Sequence, residues 1–223
     1  MLKPYKENVQ KIKEEVYSIG QEIVYANKIS LSALKENDLT MLKDINLSIK
    51  LLSSRSNEID NLIVKTLALY SPEAKDLREM VSYLKITNEL LRAAANSKSF
   101  IKTFKKSFTD ELDKHLILEY AIPLLKASNQ ALEIAVKLVK EDDEKTIESD
   151  FHKVCVEESK TDDLYAIVEK NTLKLITKNI ELSKDYFDLL SSLRRLEKIA
   201  DRAASIANLL LFAQMGGTIE QAK

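Results

Sequence analysis

The stretch Ile147–Val168, IESDFHKVCVEESKTDDLYAIV, decides the fold. Its seam reads Ile147, Phe151, Val154, Glu158, Thr161, Tyr165 and Val168, alternating steps of four and three residues. That 3.5-residue period belongs to a helix packed along its length in a left-handed bundle. A strand would need a two-residue period, which the stretch lacks.

Outward from this stretch the same pattern recurs. Leu42, Ile45, Ile49, Leu52, Ser56, Ile59 and Ile63 form a matching seam in the first half of the chain. Leu34-Lys35-Glu36-Asn37-Asp38 resembles Val139-Lys140-Glu141-Asp142-Asp143, displaced by 105 positions. A fixed displacement marks a repeated unit. Three glycines and three prolines in 223 residues leave room for few turns. The expectation is an all-α chain of six helices in two similar antiparallel three-helix bundles placed side by side, residues 1–107 and 108–223.

Punctuation sets the helix boundaries. Pro4 lies near the start of the first helix, and Asn37-Asp38 ends it and caps the second. Ser71-Pro72-Glu73 reads as N-cap, first-turn proline and first-turn acid of the third. Thr109-Asp110-Glu111 opens the fourth, in which Pro123 removes a backbone hydrogen bond and predicts a kink. Glu141-Asp142-Asp143 separates the fourth and fifth. The sixth starts near Leu182 and stops at Gly216-Gly217.

Composition narrows the function. Thirty-four basic and 35 acidic residues nearly cancel, whereas a nucleic-acid binder needs a basic excess or stripe. No nucleic-acid partner is expected, and Lys102, Lys105 and Lys106 read as a solvated face. Cys155, alone, reads as a small apolar side chain. The charged start, Met1 to Glu7, is unlike a targeting segment, and Ala203 to Ala213 is too short to span a bilayer. A cytoplasmic protein without membrane insertion is expected.

Two carboxylates break the apolar seams. Glu158 stands on the fifth-helix stripe, and Glu197 on the sixth-helix stripe of Leu190, Leu193, Ala200, Ala204, Ala207 and Leu211. Asp162 and Asp201 follow them by four residues, so each pair projects from one helix face. Buried unpaired carboxylates are costly and call for basic partners, protonation or a cation. Arg195, Lys198, Arg202 or Lys160 satisfy them on one reading. On the other, Glu158, Asp162, Glu197 and Asp201 hold a metal through hard oxygen ligands. The Glu-x-x-His spacing of dinuclear carboxylate oxidases is absent at His115 and His152. Phosphate-cradling loops and nucleophile elbows are also missing, so a non-enzymatic role is expected.

The segment Leu193–Ala207, LRRLEKIADRAASIA, resembles the signature of the PhoU family of phosphate-signalling regulators. Ser71 to Arg78 resembles that family's third-helix opening, and Glu158 to Tyr165 its acidic fifth-helix motif. The resemblance implies a six-helix plan and Glu/Asp-x-x-x-Asp metal motifs in both halves, loaded with iron or zinc. Carried onto this chain, the first-half counterparts are Ser56, Asp60, Leu91 and Ala95, which lack the full acid set and leave one site at most. It further implies an adaptor in phosphate transport and transcription regulation. The partners would be a phosphate-specific ABC transporter ATPase and a sensor histidine kinase, and the adaptor a homodimer. Three other roles stay open: an accessory protein of a low-affinity phosphate or cation permease, a carboxylate-type metal protein or enzyme, and a helical scaffold without metal.

Overall fold

The computed structural model describes residues 3–43 and 45–217. Six long helices account for most of them: α1 Lys3–Lys35, α2 Ile49–Tyr70, α3 Ala74–Ser107, α4 Lys114–Leu138, α5 Glu144–Lys178 and α6 Ser183–Met215. Short 3-10 turns at Leu39–Lys43 and Ile180–Leu182 fill the links before α2 and α6. No strand occurs among the described residues.

Helices α1, α2 and α3 pack on one another, as do α4, α5 and α6. Contacts across each pair show the directions. Asn8 on α1 hydrogen-bonds Thr66 on α2, while Arg55 reaches back to Ser18. On α5 and α6, Arg194 lies over the Tyr165 ring and Asp201 lies beside Glu158. In both cases residue numbers rise on one helix as they fall on the other, so the pairs are antiparallel.

The two units share one core. Its largest interface joins α3 and α6, which run antiparallel. Arg202 bonds Glu89 at 3.0 Å, and the Arg78 side chain lies by Gly216. Leu90, Phe100, Leu196 and Ile206 are fully or almost fully buried within the core. The helices α1 and α4 close the second contact between units. There Gly20 lies so near Val136 that a Cβ would sit 2.6 Å from its methyl group. Any larger residue at position 20 would force the two helices apart.

Several helix starts differ from the sequence expectation. The second helix begins at Ile49, where the Ser48 hydroxyl accepts from the Leu51 N–H. Of the expected seam before Leu52, Leu42 is buried while Ile45 and Ile49 are half-buried, and Leu47, off that seam, reaches the core instead. The backbone here is a 3-10 turn and an irregular link, so the helical spacing does not carry through it. Asp38 holds that turn by accepting from the Thr40 N–H and hydroxyl. Ser71 does not cap α3: it closes α2 in the left-handed conformation, φ 42°, and Glu73 precedes α3. Thr109–Glu111 likewise do not start α4, because Asp113 takes the cap by accepting from the Leu116 N–H. A capping-type residue can close one helix or wait a turn before opening the next, and its type alone leaves both open. Glu141-Asp142-Asp143 separates α4 from α5 as expected, with Asp143 taking the cap, and Gly216 ends α6 as expected. The helix α4 is continuous through Pro123.

Candidate functional site

The acidic residues of α5 and α6 face one another midway along their antiparallel contact. Glu158, Asp162 and Asp201 bring one carboxylate oxygen each to within 4.8 Å of the others. Asp201 is 4% exposed, Glu158 is half-buried and Asp162 is exposed. The site is therefore a cleft with a buried floor and an open lip.

Glu197 stays outside this trio. Its carboxylate lies 3.7 Å from the Arg194 Nε and 3.4 Å from the Lys198 Nζ. The first separation is ion-pair range but too long for a hydrogen bond, and Glu197 Oε2 has no hydrogen-bond donor. Of the four acids that the sequence singles out, three converge and the fourth turns to the basic side chains beside them.

Charge in the cleft is only partly balanced. The Lys198 ammonium donates to Asp201 Oδ2 at 2.8 Å, and the Arg202 guanidinium lies 3.8 Å from the same oxygen. That hydrogen bond chiefly holds the Lys198 pKa above its ordinary value. Burial first, then the charges of Asp162 and Asp201, push the Glu158 pKa up. Asp162 is raised by burial and by Asp201, with Lys198 opposing. Burial, with mutual repulsion added, thus disfavours ionisation of Glu158 and Asp162, and Lys198 opposes this at Asp162 only in part. A positive charge entering the cleft would be welcome there.

Basic partners are only partly those that the sequence suggests. Lys198 and Arg202 take part, but Lys160 pairs with Glu157 at 3.3 Å and Arg195 is exposed. Arg194 contributes instead, over the Tyr165 ring at 5.1 Å. Its three-residue spacing from Glu197 is a signal that could have found it. Both histidines are exposed and stand apart from the acids. Burial and the Glu158 charge push the half-buried Cys155 thiol up, which keeps it protonated and a poor nucleophile.

In the first unit, Asp60 accepts from the Thr87 hydroxyl at 2.9 Å. Thr87 stands eight residues before Ala95 on α3, about 12 Å along a helix axis. Asp60 is thus well away from the level of Ala95, and Ala95 itself is exposed. The family resemblance makes Asp60 the first-half counterpart of Asp162, and in the structure its partner is Thr87, a neutral donor that no acid motif would have revealed.

These features define a class: an all-α protein of two repeated three-helix units in which, among the described residues, three carboxylates converge in the second unit. The PhoU domain matches residues 17–103 and again 122–210, and the chain belongs to the PhoU family. A PhoU homologue of Borreliella burgdorferi, described as a phosphate-specific transport system accessory protein, is 24% identical over 209 residues and 92% of each chain. A second such homologue, from Thermotoga maritima, is 23% identical over 94% of this chain and 87% of its own length. The fold matches the crystal structure of the phosphate transport system regulatory protein PhoU from Streptococcus pneumoniae. That match has a TM-score of 0.79 at 19% identity, over 97% of this chain and 99% of the other. PhoU from Pseudomonas aeruginosa matches with the same TM-score at 17% identity, over 96% and 100% of the two chains.

Proposed function

We propose that this protein is a cytoplasmic, non-enzymatic regulator of phosphate uptake and phosphate-responsive signalling. It would act by docking on a phosphate-specific ABC transporter ATPase and on a sensor histidine kinase, as a homodimer. The observation that carries this reading is the near full-length match, in both repeated units, to relatives described as phosphate-specific transport accessory proteins. The architecture suits an adaptor, because long charged helical faces offer extended surfaces for partners. No helix among the described residues is long and apolar enough to cross a membrane, so contact with a transporter would run through its soluble parts. Deleting the gene and assaying phosphate-starvation reporter output tests the reading. Constitutive output at high phosphate, repaired by the intact gene, is expected; normal repression in the deletion strain rejects it.

The cleft adds a finer proposal, a single divalent cation such as iron or zinc. The donor set fits: three carboxylate oxygens within 4.8 Å match the span across a hard cation with ligand distances of about 2.0–2.6 Å. Glu158, Asp162 and Asp201 would hold it. Glu197 would join by a side-chain turn away from Lys198, and Lys198 would leave Asp201. The ion would supply positive charge that ties α5 to α6 and stabilises the folded protein by linkage. Metal content and thermal stability with and without cation are the measurements. Glu197→Ala with Asp201→Ala should abolish bound metal, and undiminished stoichiometry removes the proposal.

A further inference from the structure

A second surface feature lies in the first unit, away from the acidic cleft. The irregular link before α2 and the last turns of α3 enclose an open groove of about 770 Å³. Its floor is apolar, formed by Leu42, Ile45, Leu47 and Ile101, and its walls are lysines. Lys98, Lys102 and Lys105 follow one another on α3 at spacings of four and three residues, so they stand on one face. Lys43 faces them from the link, and Lys106 completes the wall. A neighbouring hollow of about 390 Å³ shares Lys43 and Lys105 and adds Phe108 and Lys114.

The charge here is lopsided in a protein whose total charge is only −1. Among the described residues, Lys43, Lys98, Lys102, Lys105 and Lys106 form no ion pair within 4 Å, and five lysines with no described acid line this one groove. Asp38, which lines the neighbouring hollow, accepts from Thr40 and also feels the Lys43 charge, so it offsets that lysine in part and leaves the α3 lysines without an acid. Lysines gathered without partners repel one another, and the C-terminal end of α3 offsets this only in part. The groove therefore attracts negative charge. Its apolar floor separates it from a plain phosphate site, which needs donors and no oily surface. It also differs from a nucleic-acid channel, which would add aromatic stacking platforms.

We infer that this groove docks an acidic, amphipathic segment of a partner protein, with carboxylates on the lysine walls and aliphatic side chains on the Leu42–Ile101 floor. The lysines set recognition and encounter rate, and the floor supplies buried apolar area. This inference depends neither on the cation cleft nor on the family's role, since it uses only residues of the link and of α3.

Selection of random peptides on the immobilised full-length protein tests it, followed by fluorescence anisotropy on the winning sequence. Enriched peptides should combine Asp or Glu with Leu, Ile or Phe. Lys102→Glu with Lys105→Glu should weaken the winner about tenfold or more, while the same reversal at exposed Lys170 and Lys174 on α5 should leave it unchanged. Lys102→Gln with Lys105→Gln is the milder pair that avoids acids at a helix C-terminus; it should weaken binding in the same direction. Enrichment of neutral or basic peptides overturns the inference, as does no enrichment, or equal binding to wild type and both variants. Tripolyphosphate or polyglutamate binding as tightly as the winner would make the groove a general polyanion site and overturn it. So would lysine-dependent binding to phosphatidylglycerol vesicles with no peptide selected, which would mark a lipid surface.

Discussion

The α2–α3 face and the α5–α6 face are built from the same repeat, yet they treat acid residues differently. On the first, a solitary Asp60 accepts a hydroxyl hydrogen bond from Thr87. On the second, Glu158, Asp162 and Asp201 crowd together with one lysine among them. Burial raises Asp60, whereas burial and mutual repulsion together raise Glu158. A single half-buried carboxyl can be settled by a neutral donor. Three together disfavour one another's ionisation, and a positive charge placed among them would relieve that repulsion, which is what separates a structural contact from a candidate binding site.

The shared part of the comparison can be broken in the core. Leu90 on α3 and Leu196 on α6 are 1% and 0% exposed. Replacing either by Ala should cost about 2–5 kcal/mol in denaturant unfolding. Similar losses would show that both units lean on the α3–α6 seam alike. A near-zero loss at one position would show that the units fold with unequal dependence on it.

The next effect concerns Lys198. Lys198→Met leaves Asp201, 5% exposed at its side chain, without its closest positive charge. Lys198 is about one-third exposed, so solvent screening limits the loss to about 1–2 kcal/mol. Added divalent cation should recover that loss in thermal unfolding. A smaller effect is expected from Thr87→Val in the first unit, about 0.5–1 kcal/mol from one hydrogen bond. Cation should not recover it, and recovery there would erase the distinction between the faces.

The smallest effect is in pH dependence. Glu158 and Asp162 have folded pKa values above their ordinary ones. In the window between the two, the folded state binds more protons than the unfolded state, so stability falls as pH rises. Their unfavourable contribution is absent below the ordinary carboxylate range, about 4, and complete once pH passes the raised values. Glu158→Gln with Asp162→Asn should flatten this part of the metal-free stability profile. An unchanged slope would mean that neither burial nor repulsion raises these two carboxyls.

Much of the fold could be read from particular residues. Burial of Val154, Thr161, Tyr165 and Val168 follows from the seam on α5, and Asp143 and Gly216 end elements where their chemistry demands. The acids on the seams likewise drew attention to the cleft before any coordinates. Ser71 and Thr109–Glu111 misled because a polar turn residue serves either neighbouring helix equally well. The Thr87 partner of Asp60 was not legible, because spacing within α2 says nothing about which turn of α3 lies across from it.

By itself the sequence determined the helical class, the repeat and the faces that turn inward, since those follow from periodicity along one chain. Only tertiary packing decided that Glu158, Asp162 and Asp201 meet across two helices while Glu197 stays outside them. It also decided that the link residues and α3 lysines share a groove. The physical reason is that local spacing sets the direction of a side chain about its own helix. The level and tilt of the opposing helix come from how the whole core fills.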